Sequence, residues 1–302
     1  MSTNFELSKG RRVRERLVRG LVFVCAAVSL FTTIGIIYVL VSESLPFFKQ
    51  VPIWDFLTGT EWSPRESTNP TFGVLPLLAG TMLVAVFAGL FAIPIGLMIG
   101  IYLSEYASSR VRAFVKPILE LLAGVPTVVY GYFALVFVTP MLSKFFPELP
   151  IFNALSAAIV VGIMILPIVA SLSEEALTAV PRALREGGLA LGATKGEVIR
   201  GVVLPGALSG VMSAFLLALS RAVGETMAVT LAAGATPNLT ANPMETIQTM
   251  SAYIVNVSLG EAPHGSIAYQ TIFAVGLTLF VITLIMNLIA AKLVSKYRKQ
   301  YG

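Results

Sequence analysis

Two charged residues, Arg221 and Glu225, stand four positions apart in the otherwise apolar run SRAVGETMAVT at 220–230. A guanidinium keeps its charge in any protein environment and presents a planar fork of N–H donors that fits the oxygens of a tetrahedral oxyanion. A carboxylate four residues further along a helix shares its face and can pair with it, although Arg before Glu is the weaker order. Near the middle of a bilayer each charge costs about 2.5–3.5 kcal/mol on insertion scales, so both are expected to face a polar interior and not lipid. Two readings follow: a self-neutralising pair that locks two helices together, or groups lining a polar route. Glu120 is a third carboxylate of this kind, roughly 10 Å into its own apolar run at 1.5 Å per residue. A bonded structural carboxylate and a gate residue fit it equally. Thr127, Tyr130 and Thr226 stand near these positions, but such hydroxyls more often bond neighbouring helices than ligands.

Positioning such groups takes helices that cross a membrane. Hydrophobic residues make up 56% of the 302, charged residues only 12%, and the mean hydropathy is +0.84, which is far from the composition of a soluble domain. Six windows have the length and apolarity of spanning helices: 20–42, 74–103, 113–142, 153–176, 205–234 and 267–291. Pro94, Pro126 and Pro167 fall inside three of them, where kinks are tolerated if neighbours satisfy the freed carbonyls. The fold class is therefore all-α and polytopic. The run at 20–42 is too long for a typical signal peptide core and has no convincing cleavage site, so it is read as an uncleaved first span.

Charge distribution orients these spans. The connections 1–19, 104–116 and 177–200 and the tail after 291 carry six, three, four and four Lys or Arg, whereas 43–72, 143–152 and 235–266 carry two, one and none. The positive-inside rule places both termini in the cytoplasm, and an even number of spans agrees. The basic pI reports this topology and implies no nucleic-acid partner. Cys25 cannot form an internal disulfide and reads as a small apolar filler. The single histidine, His264, in the outer loop EAPHGS, gives no multi-histidine metal cluster. Residues 187–194 have the glycine spacing of a phosphate loop but Ala193 where the lysine must stand, so no nucleotide site is expected here. The 43–72 segment reads as an ordinary outer connection, and no internal repeat is evident.

The segment PRALREGGLALGATKGEVIRGVVLP, 181–205, is not a flexible linker. Leu184, Leu189, Leu191, Val198 and Val202 alternate with charges at roughly helical spacing, and Pro181 suits a helix start. A short amphipathic helix, a glycine-punctuated turn and a second helix are expected, and the glycines permit close backbone approach, as in a knob seated in a cleft. An interfacial helix lying on lipid fits the pattern as well.

The run Glu186-Gly187-Gly188, three residues, Gly192, nine residues, Val202, one residue, Leu204-Pro205 resembles the cytoplasmic signature loop of ABC importer permeases: Glu-Ala-Ala, three residues, Gly, nine residues, Ile, one residue, Leu-Pro. The two glycines replace alanines, loosening the helix by about 1 kcal/mol each, and Val202 replaces isoleucine. LELLAGVPTVVYG (119–131) and LALSRAVGETMAVT (217–230) are similar to stretches of the phosphate importer permeases of the PstC type, and the likeness covers roughly residues 20–295. It implies a type I ABC importer permease fold in the bacterial cytoplasmic (inner) membrane. The chain then divides into a basic tail (1–19), a first helix with its outer loop (20–72), a permease core (73–292) with the coupling loop 181–205, and a tail (293–302).

The resemblance also implies partners. These are a sister permease of the PstA type, two copies of an ATPase of the PstB type that hold ATP and Mg, and an extracytoplasmic phosphate-binding protein of the PstS type, with phosphate as the substrate and membrane lipid around this chain. No cofactor, metal or catalytic residue is expected on this chain. Glu186, Gly187, Gly188, Gly192, Leu204 and Pro205 would form the ATPase coupling element, with Arg221, Glu225 and Glu120 along the substrate pathway. Arg221 would lower the barrier for the anion. Glu225 would compete for the arginine and accept a hydrogen bond from protonated phosphate. The alternatives are a sulfate, molybdate or phosphonate permease, a proton- or sodium-coupled secondary anion carrier, or a membrane receptor that transports nothing.

Overall fold

The computed structural model describes residues 9–64, 69–260, 262–263 and 265–301. His264 and the first eight residues of the 1–19 tail lie outside them. The elements, in order, are α1 (Lys9–Gln50), α2 (Ile53–Thr58), β1 (Trp62–Ser63), β2 (Thr71–Phe72), α3 (Leu75–Ile101), α4 (Ser109–Gly124), α5 (Thr127–Phe133), α6 (Thr139–Ser143), α7 (Ala154–Thr178), α8 (Arg182–Ala190), α9 (Lys195–Val198), α10 (Leu204–Val223), α11 (Met227–Ala232), α12 (Met250–Ser258) and α13 (Ile267–Tyr301). Single π-helical turns at Tyr102–Tyr106, Ala134–Val138 and Ile199–Val203 extend α3, join α5 to α6 and join α9 to α10.

Five stretches are long and apolar enough to cross a membrane: Arg14–Gln50, Leu75–Tyr106, Ala154–Thr178, Lys195–Val223 and Ile267–Lys292. The third expected span, 113–142, is not one rod. Its two parts, Ser109–Gly124 and Thr127–Ser143, meet at 89°. Pro126 is the cause, because a residue before proline is pushed out of the helical region, and Val125 is extended at φ −65°, ψ 129°. The Tyr130 hydroxyl donates to the Leu122 carbonyl at 2.8 Å across the bend, satisfying one of the acceptors that the end of α4 leaves open. Pro94 and Pro167 sit inside the continuous helices α3 and α7.

The centre of the bundle is the packing of α3 on α7. Ala85, Ala88, Ala92, Gly96 and Gly100 recur every three or four residues along α3 and are all buried, the small-residue stripe that lets membrane helices approach closely. A Cβ added at Gly96 would fall 2.7 Å from the Val169 side chain, so no larger residue fits without separating the two helices.

The outer connection 43–72 is more ordered than its composition suggested. α1 continues to Gln50, α2 follows, and Trp62 pairs with Phe72 in a short antiparallel hairpin. The reason is aromatic. Phe47, Phe56 and Trp62 are buried together with Tyr253 of α12, their rings meeting edge to face at 5.0–6.2 Å, a favoured arrangement. This cluster anchors the otherwise exposed α1 at one end of the bundle.

Candidate functional site: a helix break at mid-depth and an exposed amphipathic loop

The expected fifth span, 205–234, also breaks. α10 ends at Val223, capped by Gly224, and α11 starts at Met227. Arg221 therefore lies in the last turn of α10 and Glu225 beyond it, so the two are not on one continuous helical face. The three ion pairs of the described residues are Arg112–Glu174, Lys116–Glu174 and Arg185–Glu105. Arg221 and Glu225 do not pair within this chain, which removes one of the two readings, the self-neutralising lock.

The depth of Arg221 follows from packing. Leu219 approaches Gly89 so closely that an added Cβ there would lie 2.7 Å from its Cδ2. Gly89 is about 21 Å from the start of α3 and about 18 Å from Ile101 at 1.5 Å per residue, so Arg221, two residues beyond Leu219, stands near the middle of the bundle. Ala207, Val211, Ala214, Ala218 and Ala222 turn inward along α10 and are buried. Ser213, Leu217, Arg221 and Gly224 form the exposed stripe on another face. Among the described residues Arg221 has no hydrogen-bond or ion-pair partner. Next to it Ser220 donates to Asn287 Oδ1 of α13 at 3.0 Å, so polarity at this level is shared between two helices.

Glu225 is placed differently. It is 8% exposed, its Oε1 accepts from the Ala228 N–H at 3.1 Å, and its carbonyl accepts from the Ser251 hydroxyl at 2.8 Å. The carboxylate thus serves the open N–H groups at the start of α11, where the helix dipole also favours negative charge. The hydroxyls of Thr226 and Tyr130 go to backbone carbonyls, of Gly224 and Leu122, as expected of helix-bonding groups. Glu120 is exposed on α4, before the bend, and makes no hydrogen bond or ion pair among the described residues. It is not brought to Arg221 by any described contact.

The loop 181–205 has the expected form. α8 is followed by a turn in which Gly192 adopts φ +85°, a conformation natural only to glycine. Thr194 and Glu197 then build a reciprocal cap on α9. Leu204 and Pro205 open α10, with proline in the first turn. The apolar residues divide into two sets. Val198 and Val203 are buried, with Gly188 packed against Val198, whereas Leu184, Leu189 and Leu191 remain 52%, 50% and 90% exposed. Glu186 and Gly187 are exposed beside them. α8 buries none of its own residues, so it presents an apolar and acidic surface outward.

Around this loop lies a set of charges that the sequence did not single out. Glu174, 2% exposed near the end of α7, meets the Lys116 ammonium at 2.7 Å and the Arg112 Nε at 3.8 Å. Arg185 of α8 donates to Glu105 Oε1 from Nη2 and Nε at 3.0 and 3.1 Å and to the Leu177 carbonyl at 2.7 Å. Arg112 donates to the Leu103 and Ser104 carbonyls, and Lys195 to the Glu105 carbonyl. Glu105, Arg112, Arg182, Arg185 and Glu186 line one cavity of about 290 Å³. The only hint in the sequence was the presence of acidic residues at these boundaries, Glu105 inside the basic connection 104–116 and Glu174 in the last turns of the span before the connection 177–200.

A family profile described as "Binding-protein-dependent transport system inner membrane component" matches residues 92–299. A probable ABC transporter permease protein, YqgH, of Bacillus subtilis (strain 168) is 33% identical over 290 residues, 95% of this chain and 93% of that one. The phosphate transport system permease protein PstC of Mesorhizobium japonicum is 33% identical over 268 residues, 82% and 80% of the two chains. A probable PstC of Methanocaldococcus jannaschii is 30% identical over 85% and 86%. Among solved structures, a bacterial alginate ABC transporter bound to its periplasmic protein superposes with a TM-score of 0.63 at 18% identity, covering 92% of this chain and 93% of that one. The methionine ABC transporter MetNI in an inward-facing form gives 0.54 at 19% identity over 74% and 94%. These structural likenesses carry the fold, that of the type I ABC importer permeases. With the profile covering more than half of the chain and relatives of permease name along most of it, the chain belongs to the family of inner membrane components of binding-protein-dependent transport systems.

Proposed function

We propose that the chain is the transmembrane permease subunit of an ATP-driven importer of inorganic phosphate, and that Arg221 is the residue of its pathway that meets the anion. The observation that carries this reading is the position of Arg221: a permanent charge at mid-span, exposed on the surface of the chain and without a protein acceptor among the described residues. Facing lipid there would cost about 2.5–3.5 kcal/mol, so the exposed stripe of α10 belongs against a polar route, closed on its far side by a sister permease of the PstA type. The curated relatives named for phosphate transport support that anion. A guanidinium fork binds it by charge-assisted hydrogen bonds without the permanence of a closed cage.

Glu225 has a different role in this scheme from that of a competitor for the arginine. By capping α11 and tying the break to Ser251, it fixes where α10 ends and so where Arg221 points. Glu120, on the exposed face of α4, is retained as a gate residue. The basic connections, including the α8–α9 loop, lie in the cytoplasm of the cell whose inner membrane holds the chain. There Glu186, the neighbouring glycines and the exposed leucines dock on two ATPases of the PstB type, which hold ATP and Mg and do the hydrolysis. A binding protein of the PstS type delivers phosphate from the other side. Closure of the ATPases draws the docking loops together, and the packed helices switch between two arrangements that open the route to one side or the other.

Uptake into vesicles bearing the purified complex tests this. Labelled phosphate should enter only with ATP and the binding protein and should survive an uncoupler. Collapse with the proton gradient would identify a secondary carrier instead. Arg221→Gln should lower uptake by roughly ten- to hundredfold while the complex still copurifies, and normal uptake by that variant would remove the pathway assignment.

A further inference from the structure

The α8–α9 loop must transmit force, yet its docking helix is almost detached from the rest of the chain. α8 buries no residue, begins after Pro181 without a side-chain cap, and touches the body mainly where Gly188 meets Val198. A helix held so loosely would tilt on its own when pulled. The side chain of Arg185 is the exception. It reaches from α8 to the carboxylate of Glu105 with two donors and to the carbonyls of Leu177 and Val180 with the others, and both partners of the ion pair are largely buried, at 17% and 8% side-chain exposure.

Glu105 is itself a junction. It lies in the π-helical turn that ends the α3 span, where open carbonyls give the helix terminus a partial negative charge that attracts cations. Three basic residues from three elements converge there: Arg112 of α4 on the Leu103 and Ser104 carbonyls, Lys195 of α9 on the Glu105 carbonyl, and Arg185 of α8 on the Glu105 side chain. The Lys195 ammonium also sits 4.5 Å from the centroid of the Tyr106 ring. Arg112 continues to Glu174 of α7, which Lys116 of α4 meets as well. The junction reaches the break beside Arg221 only through α4, which ends at the Val125–Pro126 bend and leads into α5, packed on α11 through Gly131 and Ala228.

Resting on the docking role assigned above to α8, we propose that Glu105 and Arg185 form a rigid joint that makes the docking helix move as one body with the inner ends of α3 and α7. Displacement of α8 then reaches the spans and is not absorbed by the loop. Arg185 suits the joint because its planar fork fixes direction as well as distance, which a lysine would not. Glu105 is a positioning residue that meets neither the anion nor the ATPase. Ion-paired and hydrogen-bonded groups that cross between rigid elements are among the physical carriers of coupling between distant sites.

The test uses the whole transporter, with its ATPases and binding protein, in proteoliposomes, and compares Glu105→Ala, Glu105→Gln and the unmodified chain. Three quantities are read: copurification of the ATPase, ATP hydrolysis without binding protein, and phosphate imported per ATP hydrolysed. The joint predicts that Glu105→Ala keeps the first two and lowers the third, together with stimulation by the binding protein, by a factor of about 5–150, the ordinary span of coupling between sites. Glu105→Gln, which keeps an acceptor oxygen but loses the charge, should fall between. If both variants assemble and import as the unmodified chain does, the joint is wrong. If Glu105→Ala does not assemble and Glu105→Gln couples normally, or if neither assembles, the pair serves folding and the joint is again overturned. Failure of the unmodified chain to bind an ATPase at all would instead strike the function proposed above.

Discussion

The α8–α9 end of the bundle, its inner end in the function proposed above, and the mid-depth break that ends the Lys195–Val223 span both interrupt helices and both gather charge, yet they satisfy it in opposite ways. At the inner end the acidic groups Glu105 and Glu174 are matched by Arg112, Lys116 and Arg185, and helix carbonyls take further donors from Arg112, Arg185 and Lys195. At mid-span Glu225 is satisfied by a backbone N–H and Arg221 is left open. Paired, buried charges tie elements together; an unpaired charge at a depth where water is scarce stays available to something that arrives. The same residue types thus tie elements together in one place and, in the function proposed above, leave a charge open to the anion in the other, according to whether a partner is built in.

The contrast can be broken at its most exposed point first. Replacing Arg221 by Gln removes a charge-assisted interaction worth about 1.5–3 kcal/mol; we expect phosphate uptake to fall by one to two orders of magnitude, on the scale of about 1.4 kcal/mol per tenfold. The melting temperature of the detergent-solubilised complex should stay within a degree or two. A large loss of thermal stability would mean that Arg221 has a structural partner in the assembly.

At the inner end the signs reverse. Glu174→Gln should lower stability by about 1–3 kcal/mol, because two cations lose the negative charge they share and one of them meets an amide NH2 where it had an oxygen. The cost stays moderate since Arg112 and Lys116 keep 34% and 39% of their side-chain surface exposed and can turn to water. Thermal unfolding measures it, and an unchanged midpoint would show that the collar holds nothing together.

Glu225 sharpens the comparison because it has a foot in both regimes. Glu225→Ala removes a helix cap and should cost about 0.5–2 kcal/mol, whereas Glu225→Gln retains an oxygen for the Ala228 N–H. If Glu225→Gln matches the unmodified chain both in stability and in its preference for phosphate over sulfate, the carboxylate acts through the break alone. Selective loss of that preference would place its charge beside the anion. The smallest effect is expected for Ser251→Ala, which deletes one hydrogen bond to the Glu225 carbonyl and should cost about 0.5–1.5 kcal/mol, read as a slight rise in proteolytic nicking near residues 224–226.

Several features were open to reading in the chain itself. Apolar windows of the right length marked the spans, because a bilayer demands about 20 apolar residues whatever the fold. Both loop helices at 181–205 and the turn at Gly192 followed from glycine and proline chemistry and from apolar spacing. Arg221 stood out because a charge in such a run needs a reason. Its relation to Glu225 was misjudged: spacing of four implies one face only if the helix continues, and nothing local, with Gly224 alone as a weak signal, said that it would stop. The bend at Val125–Pro126 had its proline in view, yet Pro94 and Pro167 sit in unbroken helices, so the residue type could not decide. The aromatic anchor of the 43–72 connection depends on Tyr253 of α12, far along the chain.

By itself the amino-acid sequence determined the apolar medium that suits this protein, the apolar stretches long enough to cross it and the presence of a charge that lipid will not tolerate, since these follow from transfer energies that each residue carries with it. Tertiary structure decided which charges are cancelled and which remain. Glu105 meets Arg185 eighty positions away, and Glu225 turns to a helix start that exists only because α10 has ended. Pairing energy depends on distance and burial, and both are properties of the packed bundle and not of any segment of it.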